Sequence, residues 1–165
     1  MKAFKSENLV FRKHKKKNRN KFIDLFTDRE VMRFVDKGKL TKEKAESFWK
    51  KEIAGERELN KMWAICLKED DEYIGNCVLN IMNEEDQKWE IGYYLLKRFW
   101  GKGYATEIAE RLARFCFEEL NFKEIYATVD DDHFASIRVL IKAGFEFCGY
   151  EFDEEGRYSV YKKQK

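Results

Sequence analysis

The chain has 165 residues, of which 44% are hydrophobic, 16% are aromatic and 39% are charged, and its formal net charge is +2. This apolar and aromatic content is enough to build a buried core, so the composition excludes an intrinsically disordered protein. The sequence contains no apolar run long enough to span a membrane and no apolar stretch typical of a secretion signal. We therefore expect one cytoplasmic domain over residues 1–165, without a membrane partner.

The charge is unevenly distributed along the chain. Residues 1–21 carry nine Lys and Arg against one Glu, a net charge of +8, which leaves −6 on the remaining residues. The basic segment is interpreted either as an arm for RNA or another anionic ligand, or as a solvated loop after a first strand. Acidic clusters in the remainder would attract a cationic substrate, although such clusters are more often exposed turns. They lie at residues 84–86, 130–132 and 151–155.

The first half of the chain predicts short strands and helices that lead into antiparallel strands. Helical spacing of apolar residues after Thr41, a plausible N-cap, predicts a helix there. Polar turns between alternating segments predict a hairpin and then a third strand. The predicted strands are 9–12, 62–67, 73–82 and 89–95, the short helical pieces are 21–26 and 30–34, and the turns are 69–72 and 83–88.

The second half of the chain predicts a strand–helix–strand crossover. Its most amphipathic segment is the helix predicted from Tyr104 to Glu119, whose broad apolar face is typical of a helix packed on a sheet. A strand at 124–129 and a helix at 133–143 follow, and Gly144 ends that helix in a left-handed conformation. Strands at 145–152 and 157–161 with a turn at 153–156 close the chain. Antiparallel strands followed by a crossover require a mixed sheet covered by helices.

The four cysteines indicate neither a metal site nor a disulfide framework. They are Cys66, Cys77, Cys116 and Cys148, separated by 11, 39 and 32 residues. A cysteine metal site needs ligands paired a few residues apart, which this spacing lacks. Each cysteine has apolar neighbours, so we expect four small core residues and no bound metal.

A glycine loop separates the strand at 89–95 from the helix that begins at Tyr104. Gly101 and Gly103 let backbone N–H groups approach a ligand, and the start of a helix favours an anion such as a pyrophosphate. A Walker loop is excluded because Gly103 follows Lys102, and a Rossmann fingerprint is excluded because Thr106 stands where its third glycine belongs. The loop is therefore another kind of anion site or an ordinary turn before a helix.

Two segments together resemble the GNAT acetyltransferase superfamily. They are residues 100–107, Trp-Gly-Lys-Gly-Tyr-Ala-Thr-Glu, and residues 135–145, Ala-Ser-Ile-Arg-Val-Leu-Ile-Lys-Ala-Gly-Phe, with a predicted strand between them. The resemblance covers residues 60–160 and is closest to the RimJ/RimL-like branch, which includes ribosomal-protein N-terminal acetyltransferases. It implies an α/β fold of the α+β type, in which about four helices flank a central, mixed and largely antiparallel twisted sheet of six to seven strands.

The resemblance also implies where acetyl-CoA binds. The family's loop pattern, Gln/Arg-x-x-Gly-x-Gly/Ala, aligns best with Trp100 in its first position, since a register that begins at Arg98 would start the helix two residues late. Backbone N–H groups of the loop would hold the pyrophosphate, and the end of the strand at 93–95 would pair with the pantetheine arm. That pairing requires the two neighbouring strands to splay after a bulge. The expected coenzyme-binding residues are Tyr93, Leu95, Trp100, Gly101, Lys102, Gly103, Tyr104, Ala105, Thr106 and His133.

The chain departs from the family at two positions of the helix at 133–143. His133 stands where the family often has an Asn that contacts the coenzyme, so it either replaces this contact or caps the helix. Leu140 stands where many members have a Tyr that protonates the departing thiolate. Ser136 is the nearest remaining hydroxyl on that helix and is the candidate to act in its place.

The resemblance implies that an amine attacks acetyl-CoA directly in a ternary complex, with no protein nucleophile. A carboxylate is needed to take the amine's proton, and a backbone N–H near Leu95 would polarise the thioester oxygen. Glu90 is the first candidate base because it lies on the strand that meets the coenzyme, and Glu151 is the second. Strand alternation predicts that Glu90 points with Tyr94 and opposite to Leu95.

The sequence leaves the acceptor open: a protein N-terminus, a polyamine, an antibiotic and an amino acid all fit. A homodimer is allowed, and no nucleic acid is expected except through a ribosomal target. Two other functions remain. A catalytically degenerate sensor that binds acyl-CoA is favoured by Leu140, and an RNA- or ribosome-associated binding module would use residues 1–21.

Overall fold

The computed structural model describes residues 2–35, 38–55, 61–83, 88–153 and 156–165. These residues form one eight-stranded sheet with strand order β1-β2-β3-β4-β5-β6-β8-β7. Its strands are β1 (Phe4–Lys5), β2 (Leu9–Arg12), β3 (Lys61–Leu67), β4 (Tyr73–Asn83), β5 (Lys88–Leu95), β6 (Glu124–Asp130), β7 (Glu146–Asp153) and β8 (Gly156–Gln164). The α-helices of the described ranges are α1 (Arg19–Thr27), α2 (Lys42–Ala54), α3 (Tyr104–Glu119) and α4 (Phe134–Lys142).

The predicted mixed sheet with four flanking helices is confirmed, and two details are corrected. The sheet has eight strands rather than six to seven, because the two-residue strand β1 pairs antiparallel with β2. The helical piece predicted at 30–34 is wrong, since these residues form turns. There the Asp28 carboxylate accepts the N–H groups of Glu30 and Val31, at 2.8 and 3.2 Å. The centres of the turns predicted at 83–88 and 153–156 lie outside the described residues.

Neighbouring strands of the described sheet pair antiparallel except β5 and β6, which are parallel. Helix α3 connects these two strands, as a parallel pair requires. Their register contains a single pair within the described residues, Glu90 opposite Tyr126. The strands therefore part beyond Glu90, and this opening places the candidate site.

The sheet carries a hydrophobic core on each face because alternate side chains of its strands point to opposite sides. On one face, α3 and α4 pack over a cluster that contains Ile91, Leu95 and Leu112. On the other face, α1 and α2 pack over a cluster that contains Phe22 and Trp49. No helix of the described residues is both long enough and apolar enough to cross a membrane.

The basic segment at residues 1–21 is part of the fold. It forms β1, β2 and the start of α1, and six of its Lys and Arg side chains make ion pairs with later parts of the chain. Three of these cations meet on one carboxylate, Asp71, which follows β3. The expected solvated loop after a first strand is wrong, because the residues after β2 lead into α1 and bury His14 and Asn18. The ion pairs also leave fewer of the segment's charges available to a separate ligand.

We expect Asp71→Asn to destabilise the protein at pH 7. Hydrogen bonds from Lys17 and Arg12 hold the pKa of the Asp71 carboxyl well below its usual range. A carboxylate with a depressed folded-state pKa stabilises the fold above its unfolded pKa of about 4, and this contribution is lost progressively as the pH falls below that value. The effect at pH 7 should be about 1 kcal/mol or less, because the side chain is 38% exposed.

Urea unfolding of the wild type and Asp71→Asn at pH 7 and pH 3 measures this contribution. The stability difference should shrink at the lower pH. Glu69→Gln is the matched control, since it removes one exposed charge from the same turn. A difference that is equal at both pH values, or equal in the control, would contradict the prediction.

Candidate active site

The glycine loop leaves open space in front of helix α3. Gly103 is the N-cap residue with φ of 83°, and Gly101 has φ of 71°, so both adopt the left-handed conformation that glycine allows. A Cβ atom at either position would meet no heavy atom within 4 Å. The first N–H groups of a helix have no partner within the helix. Such an arrangement can hold a pyrophosphate.

The carboxylate of Glu107, in the first turn of α3, is hydrogen-bonded to the turn between β1 and β2. Glu107 accepts hydrogen bonds from the Ser6 hydroxyl at 2.6 Å and from the Asn8 N–H at 2.7 Å. Burial alone would raise the pKa of Glu107, but these hydrogen bonds outweigh it and the pKa is lowered. No local sequence pattern indicates this contact, which fixes the start of α3 against the N-terminal strands.

Strand β5 turns a polar backbone edge toward the opening. The Leu96 N–H donates to the Ile74 carbonyl at 2.9 Å, which fixes the alternation of the β4–β5 ladder. By that alternation Tyr93 and Leu95 direct their backbone groups away from β4 and toward β6. The indole of Trp100 donates to the Leu95 carbonyl at 2.8 Å. An extended ligand can therefore pair with this edge as an added strand.

The predicted splay is present and follows an irregularity in the β4–β5 ladder. The β4–β5 register shifts between Ile81 and Asn83 of β4. Beyond Glu90, β6 forms no further register pair with β5 within the described residues. The expectation about side-chain direction is confirmed, because Leu95 lies in the core under α3 and α4, whereas Tyr94 packs against Phe26 on the other face, at 5.5 Å between ring centroids.

Glu90 points to the face opposite the glycine loop's helix and is largely surrounded by protein. Thr128 on β6 donates a hydrogen bond to Glu90 Oε2 at 3.1 Å, and the Asn80 side chain on β4 also hydrogen-bonds the carboxylate. Burial, with a smaller contribution from the nearby charge of Glu151, raises the pKa of Glu90 above its ordinary value. A carboxylate with a raised pKa is a stronger base.

Both predicted bases line one cleft of about 420 Å³ beside the opening. Glu90 and Glu151 share it with Asp130, a member of one acidic cluster predicted to attract cations. The remaining lining residues are Arg33, Phe34, Val35, Met82, Thr128, Val129, Gly156, Arg157 and Tyr158. Apart from Thr128, no local sequence pattern indicated these lining residues. Thr128 could have been found, because it alternates with the buried Ala127 and Val129 and so faces the Glu90 side.

One of the two arginines that line the cleft, Arg157, is engaged by residues outside it. Arg157 donates to Asp131 at 2.8 Å, and its guanidinium lies 4.3 Å from the centroid of the Tyr150 ring. Tyr158 donates its hydroxyl hydrogen to Glu151 at 3.1 Å. The cleft thus combines three carboxylates and two arginines with aromatic walls, and the excess of carboxylates suits a ligand that carries an amine.

The hydroxyl groups of two predicted site residues, Tyr93 and Ser136, meet across the opening. Ser136 lies in the first turn of α4, and its Oγ is 2.9 Å from the hydroxyl oxygen of Tyr93 on β5. Leu140, at the family's tyrosine position, is buried in the core with 2% exposure. The sequence predicts a role only for the backbone of Tyr93, so this contact between the two side chains is an additional feature of the site.

His133 is the N-cap residue of α4, as one of the two interpretations has it, but its side chain makes no capping hydrogen bond. Its ring instead stacks on Phe34, with 4.0 Å between centroids and 13° between planes. Burial and, to a smaller extent, the charge of Arg33 lower the pKa of His133 against the opposing influence of Asp132. The stack joins the wall of the cleft to the start of α4.

The cysteines lack the properties of a nucleophile. Three are buried as predicted, but Cys148 is exposed on β7, where the β7–β8 register is irregular. Burial raises the pKa of Cys66 to about 11 and that of Cys116 to about 12, and it also raises the pKa of Cys77 and Cys148. A thiol with a raised pKa forms little thiolate at neutral pH, so none of these cysteines is activated for attack.

Comparisons with known proteins agree with this geometry. Residues 8–146 match the family described as Acetyltransferase (GNAT) domain. The "Uncharacterized N-acetyltransferase p20" of Bacillus licheniformis is 36% identical over 103 residues, which cover 62% of this chain and 54% of that protein. The "Uncharacterized N-acetyltransferase YnaD" of Bacillus subtilis (strain 168) is 27% identical over 168 residues, which cover 96% of each chain.

Solved structures show the same fold. A GNAT-family acetyltransferase from Bacillus anthracis superposes with a TM-score of 0.86 at 25% identity, over 99% of this chain and 98% of that one. RimL, a ribosomal L7/L12 acetyltransferase in complex with coenzyme A, has a TM-score of 0.81 at 16% identity, over 99% and 98%. Spermidine N-acetyltransferase from Vibrio cholerae has a TM-score of 0.80 at 17% identity, over 95% of each chain. The chain therefore belongs to the GNAT acetyltransferase family.

Proposed function

We propose that the chain transfers the acetyl group of acetyl-CoA to a primary amine by direct attack in a ternary complex. The observation that carries the proposal is the position of Glu90. This carboxylate has a raised pKa and lines an acidic cleft on one face of β5, while the glycine loop follows the end of the same strand. The two substrates would then meet at the opening between β5 and β6.

The coenzyme would bind along β5 and the start of α3. The backbone N–H groups from Gly101 to Ala105 would hold its pyrophosphate, because the loop leaves this space open. The outward backbone groups of Tyr93 and Leu95 would pair with the pantetheine arm. In this position the Leu95 N–H lies where it can donate to the thioester oxygen.

Two side chains would then accept the proton of the amine and stabilise the departing thiolate. Glu90 accepts a proton from the amine, directly or through water, and the amine nitrogen forms a bond to the thioester carbon. The carbon–sulfur bond breaks and its electron pair goes to sulfur. Ser136, at the start of α4, donates a hydrogen bond to the sulfur as it departs. Holding both substrates in place supplies a further part of the rate.

The acidic cleft supports an acceptor that carries positive charge. Glu90, Asp130 and Glu151 line it, and such a cleft raises the local concentration of a cationic amine. Two proteins with this fold act on such acceptors, a ribosomal protein for RimL and spermidine for the Vibrio cholerae enzyme. A protein N-terminus and a polyamine are therefore the acceptor classes to test first.

We expect acetyl-CoA to raise the melting temperature by about 5–11 °C. A ligand at a hundred times its Kd stabilises a protein by about 2.7 kcal/mol, and about 1 kcal/mol shifts the midpoint by 2–4 °C for a domain of this size. ATP and NADH are the matched controls, because they contain a nucleotide and linked phosphates but no pantetheine arm. Equal shifts with all three ligands, or none with acetyl-CoA, would contradict the coenzyme site.

Release of free thiol from acetyl-CoA in the presence of a panel of amines tests the transfer itself. Thiol release that depends on the amine supports acetyl transfer. A thermal shift with acetyl-CoA but no thiol release from any amine would favour the sensor, which the buried Leu140 at the family's tyrosine position also favours.

A further inference from the structure

We propose that Tyr93 is a positioning residue that directs the hydroxyl hydrogen of Ser136 toward the departing sulfur. The inference rests on the proposed acetyl transfer and adds a residue to it. In this arrangement Tyr93 donates its hydrogen to Ser136 Oγ, and Ser136 uses its own hydrogen for the sulfur of coenzyme A.

The two hydroxyls belong to opposite walls of the opening. Tyr93 is on β5 and points to the face covered by α3 and α4, whereas Ser136 belongs to the first turn of α4. Their oxygens lie 2.9 Å apart, a normal hydrogen-bond length. The pair thus spans the gap beside the edge of β5 where the pantetheine arm would lie.

The chemistry of the two groups sets the direction of this hydrogen bond. A phenol is a stronger donor than an aliphatic hydroxyl, and the serine oxygen is the better acceptor of the two. Burial raises the pKa of Tyr93 to about 12, against the opposing influence of the hydrogen bond with Ser136, so the phenol keeps its proton at neutral pH. With Tyr93 as the donor, the Ser136 hydrogen remains available for another acceptor.

Without the hydrogen bond from Tyr93, the Ser136 hydroxyl could donate to a backbone carbonyl and not to the sulfur. A serine in a helix often returns its hydrogen to a backbone carbonyl three or four residues earlier, and His133 and Asp132 supply such carbonyls. A hydrogen bond received from Tyr93 occupies one lone pair of Oγ and holds the oxygen toward β5. The rotamer that serves the sulfur is therefore fixed before the coenzyme binds.

The step balances without removing a proton from Tyr93. The carbon–sulfur bond breaks, its electron pair moves to sulfur, and the resulting thiolate accepts the Ser136 hydrogen bond. The proton lost by the amine is on Glu90, and the thiolate is protonated by water on release. Leu140 has no hydroxyl and is buried. Tyr93 and Ser136 together therefore provide the hydrogen-bond donor to sulfur that a tyrosine at position 140 would provide.

The test measures the thiol of bound coenzyme A and needs no acceptor. The ultraviolet absorbance of the thiolate is titrated in complexes of coenzyme A with the wild type, Tyr93→Phe, Ser136→Ala and the double variant. A hydrogen bond to a charged group lowers the thiol pKa, so its loss in Ser136→Ala should raise that pKa by about 1 pH unit. Tyr93→Phe should raise it in the same direction, and the double variant should match Ser136→Ala.

Turnover gives a second readout. With acetyl-CoA and an active amine, Tyr93→Phe should lower kcat about tenfold and leave the KM for acetyl-CoA unchanged, because only the oxygen is removed. Ser136→Thr keeps the hydroxyl and should retain the wild-type thiol pKa. Tyr150→Phe, which removes a hydroxyl from an exposed tyrosine on β7, is the matched control and should change neither readout.

A wild-type thiol pKa in the Tyr93→Phe complex would overturn the inference. So would shifts that add in the double variant, since independent groups do not act through one another. Loss of coenzyme binding in Tyr93→Phe would also overturn it, because it would assign the hydroxyl to binding. A wild-type protein that acetylates no amine counts against the proposed function, while the thiol titration still decides the role of Tyr93.

Discussion

Glu90→Gln is expected to lower kcat by about two to four orders of magnitude, the range of general base catalysis. The amide keeps the size of the carboxylate and can hydrogen-bond to Thr128, but it cannot accept a proton. Because the pKa of Glu90 is raised by its burial, the wild-type rate should fall as the pH drops through that raised value. The variant should lose this acidic limb, and a pH series of kcat with saturating substrates measures both effects.

The same variant should fold at least as well as the wild type at pH 7. A carboxyl whose pKa is raised by folding destabilises the protein above that pKa, and the cost disappears below the unfolded value. Melting temperatures at pH 7 therefore separate a lost base from a lost fold. If Glu151→Gln instead shows the large loss of kcat and the altered pH profile, then Glu151 is the base and the assignment of Glu90 is wrong.

Gly103→Val is expected to raise the KM for acetyl-CoA by about ten- to a hundredfold. A β-branched residue at a φ of 83° is strained by roughly 1–3 kcal/mol, although its Cβ would meet no heavy atom within 4 Å. The loop relieves the strain by changing its backbone, which turns the N–H groups away from the pyrophosphate. Calorimetric binding of coenzyme A to the variant measures the loss directly.

Gly55→Val is the matched control for the loop. Gly55 has a φ of 76° at the end of α2, and a Cβ there also meets no heavy atom within 4 Å. The control should lose a similar amount of stability and keep its affinity for coenzyme A. Equal affinities in the wild type and Gly103→Val would show that the loop does not hold the coenzyme.

The helices and strands with a clear local sequence pattern were predicted correctly. Helix α3 has the bounds that Gly103 and its amphipathic pattern indicated, and the strands that follow differ by a few residues. The failures have physical reasons. Strand β1 has only two residues, too few for a periodic pattern, and the segment at 30–34 repeats apolar residues at helical spacing but forms turns anchored by Asp28.

Features of the candidate site that depend on one strand or loop could be predicted from the sequence. Contacts between residues distant in the sequence could not. Alternation on one strand was enough to place Glu90 opposite Leu95. The contacts of Glu90 with Thr128 and of Phe34 with His133 depend on how distant segments pack, which no local pattern records. The pair of Tyr93 and Ser136 also depends on the width of the opening. The exposure of Cys148 arises from an edge strand with an irregular register.

The single register pair between β5 and β6 has a mechanical consequence. Hydrogen bonding divides the sheet into a five-stranded part, β1 to β5, and a three-stranded part made of β6, β8 and β7, which meet at Glu90 and Tyr126. A small rotation of one part against the other breaks few backbone hydrogen bonds, so its cost comes mainly from side-chain packing in the two cores. Side-chain packing therefore holds this junction more than backbone hydrogen bonding does. The width of the opening depends on the core that both parts share, while each part keeps its own ladder intact.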